Sequence, residues 1–135
     1  ITDERMTRFW MLLEESVALV LKALELTVGG EVFIPKIPSM NVIDLAKAIE
    51  PKCTFKFFGI RPGEKLHESL FSEDESRNIR AHDGVYVILP SFGIEYGVYD
   101  KYKKSPKVKE GFTFRSDTND RWLTVKQLQD LLKKI

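Results

Sequence analysis

The run Gly59-Ile60-Arg61-Pro62-Gly63-Glu64-Lys65-Leu66-His67-Glu68 gathers charged and titratable side chains around a Pro-Gly pair. Pro62 presets φ for the second position of a turn, and Gly63 supplies the positive φ that a type II turn needs at its third. Arg61 and Glu64 are therefore predicted to flank a rigid corner. Arginine on such a corner suits a phosphate, because its planar fork donates paired hydrogen bonds and stays charged at any working pH. A carboxylate beside a diphosphate is repulsive, so Glu64 fits such a site only by turning to a ribose or sugar hydroxyl. His67 reads as a surface or packing residue and Lys65 as a solvated charge.

The elements that must carry these residues follow from periodicity. Met11 to Leu26 is predicted to be an amphipathic helix, with Leu13, Val17, Val20, Leu21 and Leu24 at three- and four-residue steps and Gly29-Gly30 ending it. Glu31 to Ile34 reads as a short strand. A second helix is expected from Asn41 as N-cap, with Val42, Leu45, Ala46 and Ile49 as its buried face. Thr54 to Ile60 alternates Phe55, Phe57 and Phe58 with Lys56, which predicts a strand leading into the Arg61 turn. Leu66 to Phe71 is read as a short helix, Ser72 to Arg80 as a polar connector and Gly84 to Leu89 as a strand. Beyond Pro90, Gly93, Tyr96, Gly97, Tyr99 and Tyr102 are interleaved with charge, Lys101 to Lys109 forms a basic loop, and Thr124 caps a closing helix. The division expected is a binding region over residues 1–90 and a C-terminal extension over 91–135.

Composition narrows the class. With 43% hydrophobic and 30% charged residues the chain should fold, and a net charge of +1 gives no long-range pull toward nucleic acid or an anionic membrane. The single Cys53 excludes an internal disulfide and fits a reducing compartment. No apolar run approaches the roughly 20 residues that span a bilayer. A soluble, cytoplasmic protein is expected.

Three stretches, Ile1-Thr2-Asp3-Glu4-Arg5-Met6-Thr7-Arg8-Phe9-Trp10, Ile34-Pro35-Lys36-Ile37-Pro38-Ser39-Met40 and Gly59 to Glu68, occur in an order and spacing that carry a resemblance. Together they resemble the C-terminal part of the inverting UDP-N-acetylglucosamine 4,6-dehydratases, polysaccharide-biosynthesis members of the extended short-chain dehydrogenase/reductase superfamily. The likeness is good over residues 1 to about 85 and weaker beyond. It implies an α/β fold: mixed short strands and helices of the substrate-binding region, without the complete Rossmann domain. The superfamily's Gly-rich dinucleotide motif and catalytic lysine segment are absent, so the chain is expected to be a fragment with no catalytic residue of its own. NADP or NAD would be held elsewhere in the parent, and none by this chain.

By the same resemblance, Arg8 and Arg61 match two arginines that reach the diphosphate of a UDP-sugar. Met6 and Thr7 would lie along the cleft, Lys36 would stand near the phosphates, and Glu64 would meet the ribose. Trp10 is expected to pack in the core. The parent would take hydride from sugar C4, lose water across C5 and C6 and return hydride to C6, serving pseudaminic acid, flagellin-glycan or capsule synthesis. It would be a homo-oligomer. A relative that only epimerises C4 shares the two arginines, and a non-catalytic, self-associating domain with an exposed apolar patch is a third reading. Other groupings point elsewhere. Glu14-Glu15 and Glu73-Asp74-Glu75 do not converge on one point, and His67 and His82 lack a third ligand at metal spacing. Tyr99 and Lys103 show the superfamily's catalytic spacing, but in a late, Gly-containing segment.

Overall fold

The computed structural model describes residues 1–92, 97 and 99–134. Gly93 and Tyr96, noted above, lie outside the described residues. The α/β class holds. In chain order the elements are β1 (Thr7–Phe9), α1 (Leu13–Leu26), β2 (Val32–Pro35), β3 (Ser39–Asn41), α2 (Val42–Ile49), β4 (Ser69–Phe71), β5 (Ile79–His82), β6 (Val85–Ile88), β7 (Phe114–Arg115) and α3 (Val125–Leu132). The chain forms two compact units that interleave along the sequence: Ile1–Trp10, Ile37–Ser69 and Arg115–Ile135 make one, and Met11–Lys36 and Leu70–Phe114 the other.

In the first unit β1 runs antiparallel to β3, with Thr7 opposite Asn41 and Phe9 opposite Ser39. The chain turns from β3 straight into α2 because the Asn41 side-chain oxygen accepts from Ile43 N–H at 2.7 Å, the N-cap predicted for it. Thr124 and Gln127 form a reciprocal capping box at the start of α3, with bonds of 3.3 and 2.9 Å. Met40, Ala48 and Leu128 make the core, with Trp10, Leu45, Leu123 and Leu132 packed around it. Trp10 is a packing residue, as expected. The buried face of α2 differs from the expected one: Ala48 is buried and Ile49 is 66% exposed. Leu45 and Ala48 stand on one row, and Ile49 lies one step further round the helix. Buried Asn119 donates to Ile37 O and Ser39 Oγ, both at 2.9 Å, and fixes the chain before α3 against β3.

Two expected elements of this unit are absent. Residues 54–60 form no strand. A strand needs a ladder, and here Ile1 alone supplies one, donating to Lys56 O at 2.9 Å and accepting from Phe58 N–H at 3.0 Å. The helix expected over 66–71 is replaced by an irregular stretch and β4. Leu66 O accepts from Thr7 N–H and Glu68 O from Ser116 N–H, at 3.1 and 2.9 Å, so carbonyls that a helix would use are engaged by distant chain.

The second unit is built on the antiparallel sheet β2-β6-β5. β5, whose first two residues fall in the polar connector expected over Ser72 to Arg80, pairs with β6 through a two-residue turn at Asp83 and Gly84, whose φ values of 45° and 79° suit a type I′ hairpin. Val85, Val87, Leu89, Tyr99 and Tyr102 form its core, with Leu19 and Phe33 against it. The end of α1 is fastened by two tyrosines. Tyr102 donates to Leu26 O at 2.9 Å and Tyr99 to Gly29 O at 2.7 Å. The helix itself is as predicted, but its apolar row is not buried: Leu13, Val17, Val20, Leu21 and Leu24 are 53 to 76% exposed. Leu19, on another face, makes the contact with the core.

Candidate functional site

The corner at Arg61 is the turn the sequence specifies. Glu64 N–H donates to Arg61 O at 3.0 Å, and Gly63 has φ of 81°, the signature of type II. The Glu64 carboxylate folds back onto the turn: one oxygen accepts from Arg61 N–H at 3.2 Å and the other from the Thr2 hydroxyl at 3.1 Å. The acid is thereby held to the corner's backbone. The Arg61 guanidinium is exposed and makes no hydrogen bond or ion pair among the described residues.

Arg8 is placed differently. Its Nη1 donates to Thr7 O at 2.7 Å and Leu66 O at 3.2 Å, and its Nη2 to Lys65 O at 3.0 Å. Nε lies 3.5 Å from a Glu68 carboxylate oxygen. Most of the fork thus joins β1 to residues 65–68, and one Nη2 N–H remains. Arg8 and Arg61 share the first unit.

Met6 and Thr7 are each only 4% exposed. Their side chains do not alternate between interior and cleft, because Met6 precedes β1 and both face inward. The Thr7 hydroxyl lies 2.8 Å from His67 Nδ1 and 2.6 Å from Ser116 Oγ. The other ring nitrogen of His67 is 3.8 Å from Asp117, which Arg115 grips through Nε and Nη2 at 3.0 and 2.8 Å. In sequence, Ser116 and Asp117 belong to the stretch Ser116-Asp117-Thr118-Asn119, which resembles a polar tail motif that follows the substrate domain in the family. Lys36 belongs to the second unit, where its Nζ lies 4.5 Å from the centre of the Tyr86 ring.

An open groove of about 590 Å³ is lined by Thr2, Asp3, Glu4, Arg5, Phe57 and Gly59, within the size range of ligand clefts. Of its two acids, Asp3 is already partnered. Side-chain and backbone hydrogen bonds from Arg5 pull the Asp3 carboxyl down to about 2, and Asp3 in turn raises the Arg5 guanidinium. Asp3 and Arg5 therefore form a neutral pair at the groove wall, a pairing that nothing in their sequence spacing announces.

No group of three or more metal-ligating side chains occurs among the described residues. The Gly29-Gly30 pair follows the C-terminal end of α1, where carbonyls rather than N–H groups point outward, so this pair is not placed to cradle a pyrophosphate. No described helix is long and apolar enough to cross a membrane.

The profile of the family described as polysaccharide biosynthesis protein matches residues 1–90. The inverting UDP-N-acetylglucosamine 4,6-dehydratase of Campylobacter jejuni subsp. jejuni serotype O:23/36 (strain 81-176) is 44% identical over 98% of this chain and 41% of its own length. The UDP-glucose 4-epimerase of Rickettsia bellii (strain OSU 85-389) is 36% identical over 98% of the chain and 40% of its own length. Among solved structures, Pen from Bacillus thuringiensis matches with a TM-score of 0.82 at 27% identity, over 99% of this chain and 40% of that one. The chain thus spans about two fifths of the relatives it matches.

Proposed function

This chain belongs to the polysaccharide biosynthesis protein family, and on that premise we propose that it is the nucleotide-sugar-binding part of an inverting UDP-N-acetylglucosamine 4,6-dehydratase. The observation that carries the reading is the Arg61 corner: an unengaged guanidinium on a turn rigidified by Gly63 and Glu64. Its fork would take the diphosphate, joined by the remaining Nη2 N–H of Arg8, while Glu64, bonded to the groove residue Thr2, meets the ribose. Met6 and Thr7 would back this wall. Holding UDP fixes the reacting sugar and applies remote binding energy to the reaction. The chemistry, with NADP or NAD, lies outside these residues, so the chain alone has no dehydratase turnover. The product would be a 4-keto-6-deoxy sugar nucleotide for surface polysaccharide, flagellin glycan or pseudaminic acid, made in the cytoplasm by a homo-oligomeric parent.

Calorimetric titration with UDP and UDP-N-acetylglucosamine tests this. Saturable binding that weakens at least tenfold in an Arg8→Ala, Arg61→Ala variant is expected, since each charge-assisted bond is worth about 1.5–3 kcal/mol. A folded chain that binds neither ligand sinks the reading. Product analysis of the parent separates dehydratase from 4-epimerase, the activity in the name of the Rickettsia relative. A second reading, self-association, is favoured by one observation, the uncovered apolar row of α1. Its mark is a mass in solution that rises with concentration while nucleotide does not bind.

A further inference from the structure

Ser116 lies outside the family match, yet its side chain is completely buried in the first unit. Its hydroxyl accepts from Glu68 N–H at 2.9 Å, lies 2.6 Å from Thr7 Oγ1 and reaches Thr7 O at 3.3 Å. Its own N–H donates to Glu68 O at 2.9 Å. Thr7 and Glu68 both also engage Arg8, beside the Leu66 and Lys65 carbonyls. Thr7 O is the carbonyl on which Arg8 Nη1 sits at 2.7 Å, and Glu68 bears the carboxylate 3.5 Å from Arg8 Nε. One buried hydroxyl therefore fixes both the carbonyl and the residue whose acid orient the guanidinium. A buried hydroxyl persists where its donor and acceptor capacity is used, and here it is used on two strands of chain that meet at Arg8.

We propose that Ser116 is a positioning residue for the nucleotide-sugar site, setting the direction of the Arg8 fork through Thr7 and Glu68 without touching the ligand. This rests on the proposed UDP binding for its functional meaning, but the placing of Arg8 is open to direct observation. Residues 115–117 then close the back of the site, with Asp117, gripped by the Arg115 guanidinium, 3.8 Å from the His67 ring that bonds Thr7.

The experiment follows the Arg8 Nε–H signal by nuclear magnetic resonance, with UDP affinity measured in parallel, for the full chain and for Ser116→Ala and Ser116→Thr. In Ser116→Ala the Arg8 signal is expected to move and UDP binding to weaken about tenfold, the effect of one lost hydrogen-bonded support. Ser116→Thr keeps the hydroxyl and restores both. An unmoved Arg8 signal with unchanged affinity in folded Ser116→Ala overturns the assignment. If the unsubstituted chain binds no UDP, the functional reading falls, and the Arg8 signal in Ser116→Ala still decides this one: moved supports it, unmoved overturns it. If Ser116→Ala does not fold, the unsubstituted chain decides. A guanidinium with hindered rotation and a slowly exchanging Glu68 amide support the assignment, and a freely rotating Arg8 overturns it.

Discussion

Arg8 and Arg61 are the same side chain in opposite circumstances. Arg8 donates to the carbonyls of residues 7, 65 and 66, so it joins segments nearly sixty positions apart, whereas Arg61 meets solvent. Arg8→Ala should lower thermal stability as well as UDP affinity, by about 2 kcal/mol of unfolding free energy, because three carbonyls lose a charged donor. Arg61→Ala should lower affinity and leave the melting temperature within experimental scatter. Equal loss of stability in the two variants would contradict the division. Asp3 gives a pH signature. Its carboxyl is depressed to about 2 by Arg5, against about 3.9 in an unfolded chain. A depressed acid stabilises the fold above the unfolded value and loses that contribution as the pH falls from about 4 to 2. Melting temperature should therefore decline across that window, less steeply in Asp3→Asn. Tyr102 has the opposite sense: burial, and then the Glu31 charge, raise its phenol, so the fold is favoured while the phenol is neutral and weakens at high pH. Tyr102→Phe removes the donor to Leu26 O and Glu31 and should cost about 1–2 kcal/mol in denaturant unfolding.

The elements divide by how local their causes are. The caps of α2 and α3 are made within three residues, and both are readable in sequence. Asn41→Ala should cost about 1 kcal/mol and shift the denaturation midpoint without changing its slope. The Arg61 turn is readable for the same reason, and Gly63→Ala tests it. A Cβ there meets nothing within 4 Å, so any loss of stability, about 1 kcal/mol, comes from the φ of 81° alone. β5 also carries a local signal, since Asp83-Gly84 before Val85 is a hairpin turn in sequence, but the charged run before it reads as a connector. Residues 54–60 show the converse: their alternation has the pattern of a strand, but a ladder depends on what lies alongside, and one residue supplies it here. The candidate site's corner is legible at Arg61 and Glu64, where the chain folds on itself. The partner of Ser116 is not legible, because Thr7 stands 109 positions away.

At the scale of the molecule, the apolar row of α1 stands exposed. Leu13, Val17, Val20, Leu21 and Leu24 form one continuous face, and Val28 and Val32, 48 and 55% exposed, follow it in sequence. Soluble monomers rarely present so continuous a face without covering it. The purified chain should show an average mass in analytical ultracentrifugation that rises with concentration, and Leu21→Glu should hold it closer to 15.6 kDa. A chain that stays monomeric at every concentration would remove the self-association reading.

The 109-position separation of Thr7 and Ser116 also has a consequence in time. At about 5–20 residues per second of synthesis, β1 waits roughly 5 to 20 s on the ribosome before Ser116 is made. Residues Met11–Lys36 and Leu70–Phe114 are complete before that point, so the second unit can fold first. The nascent chain would then carry a finished second unit while the contact of Ser116 with Thr7, beside Arg8, is still unmade.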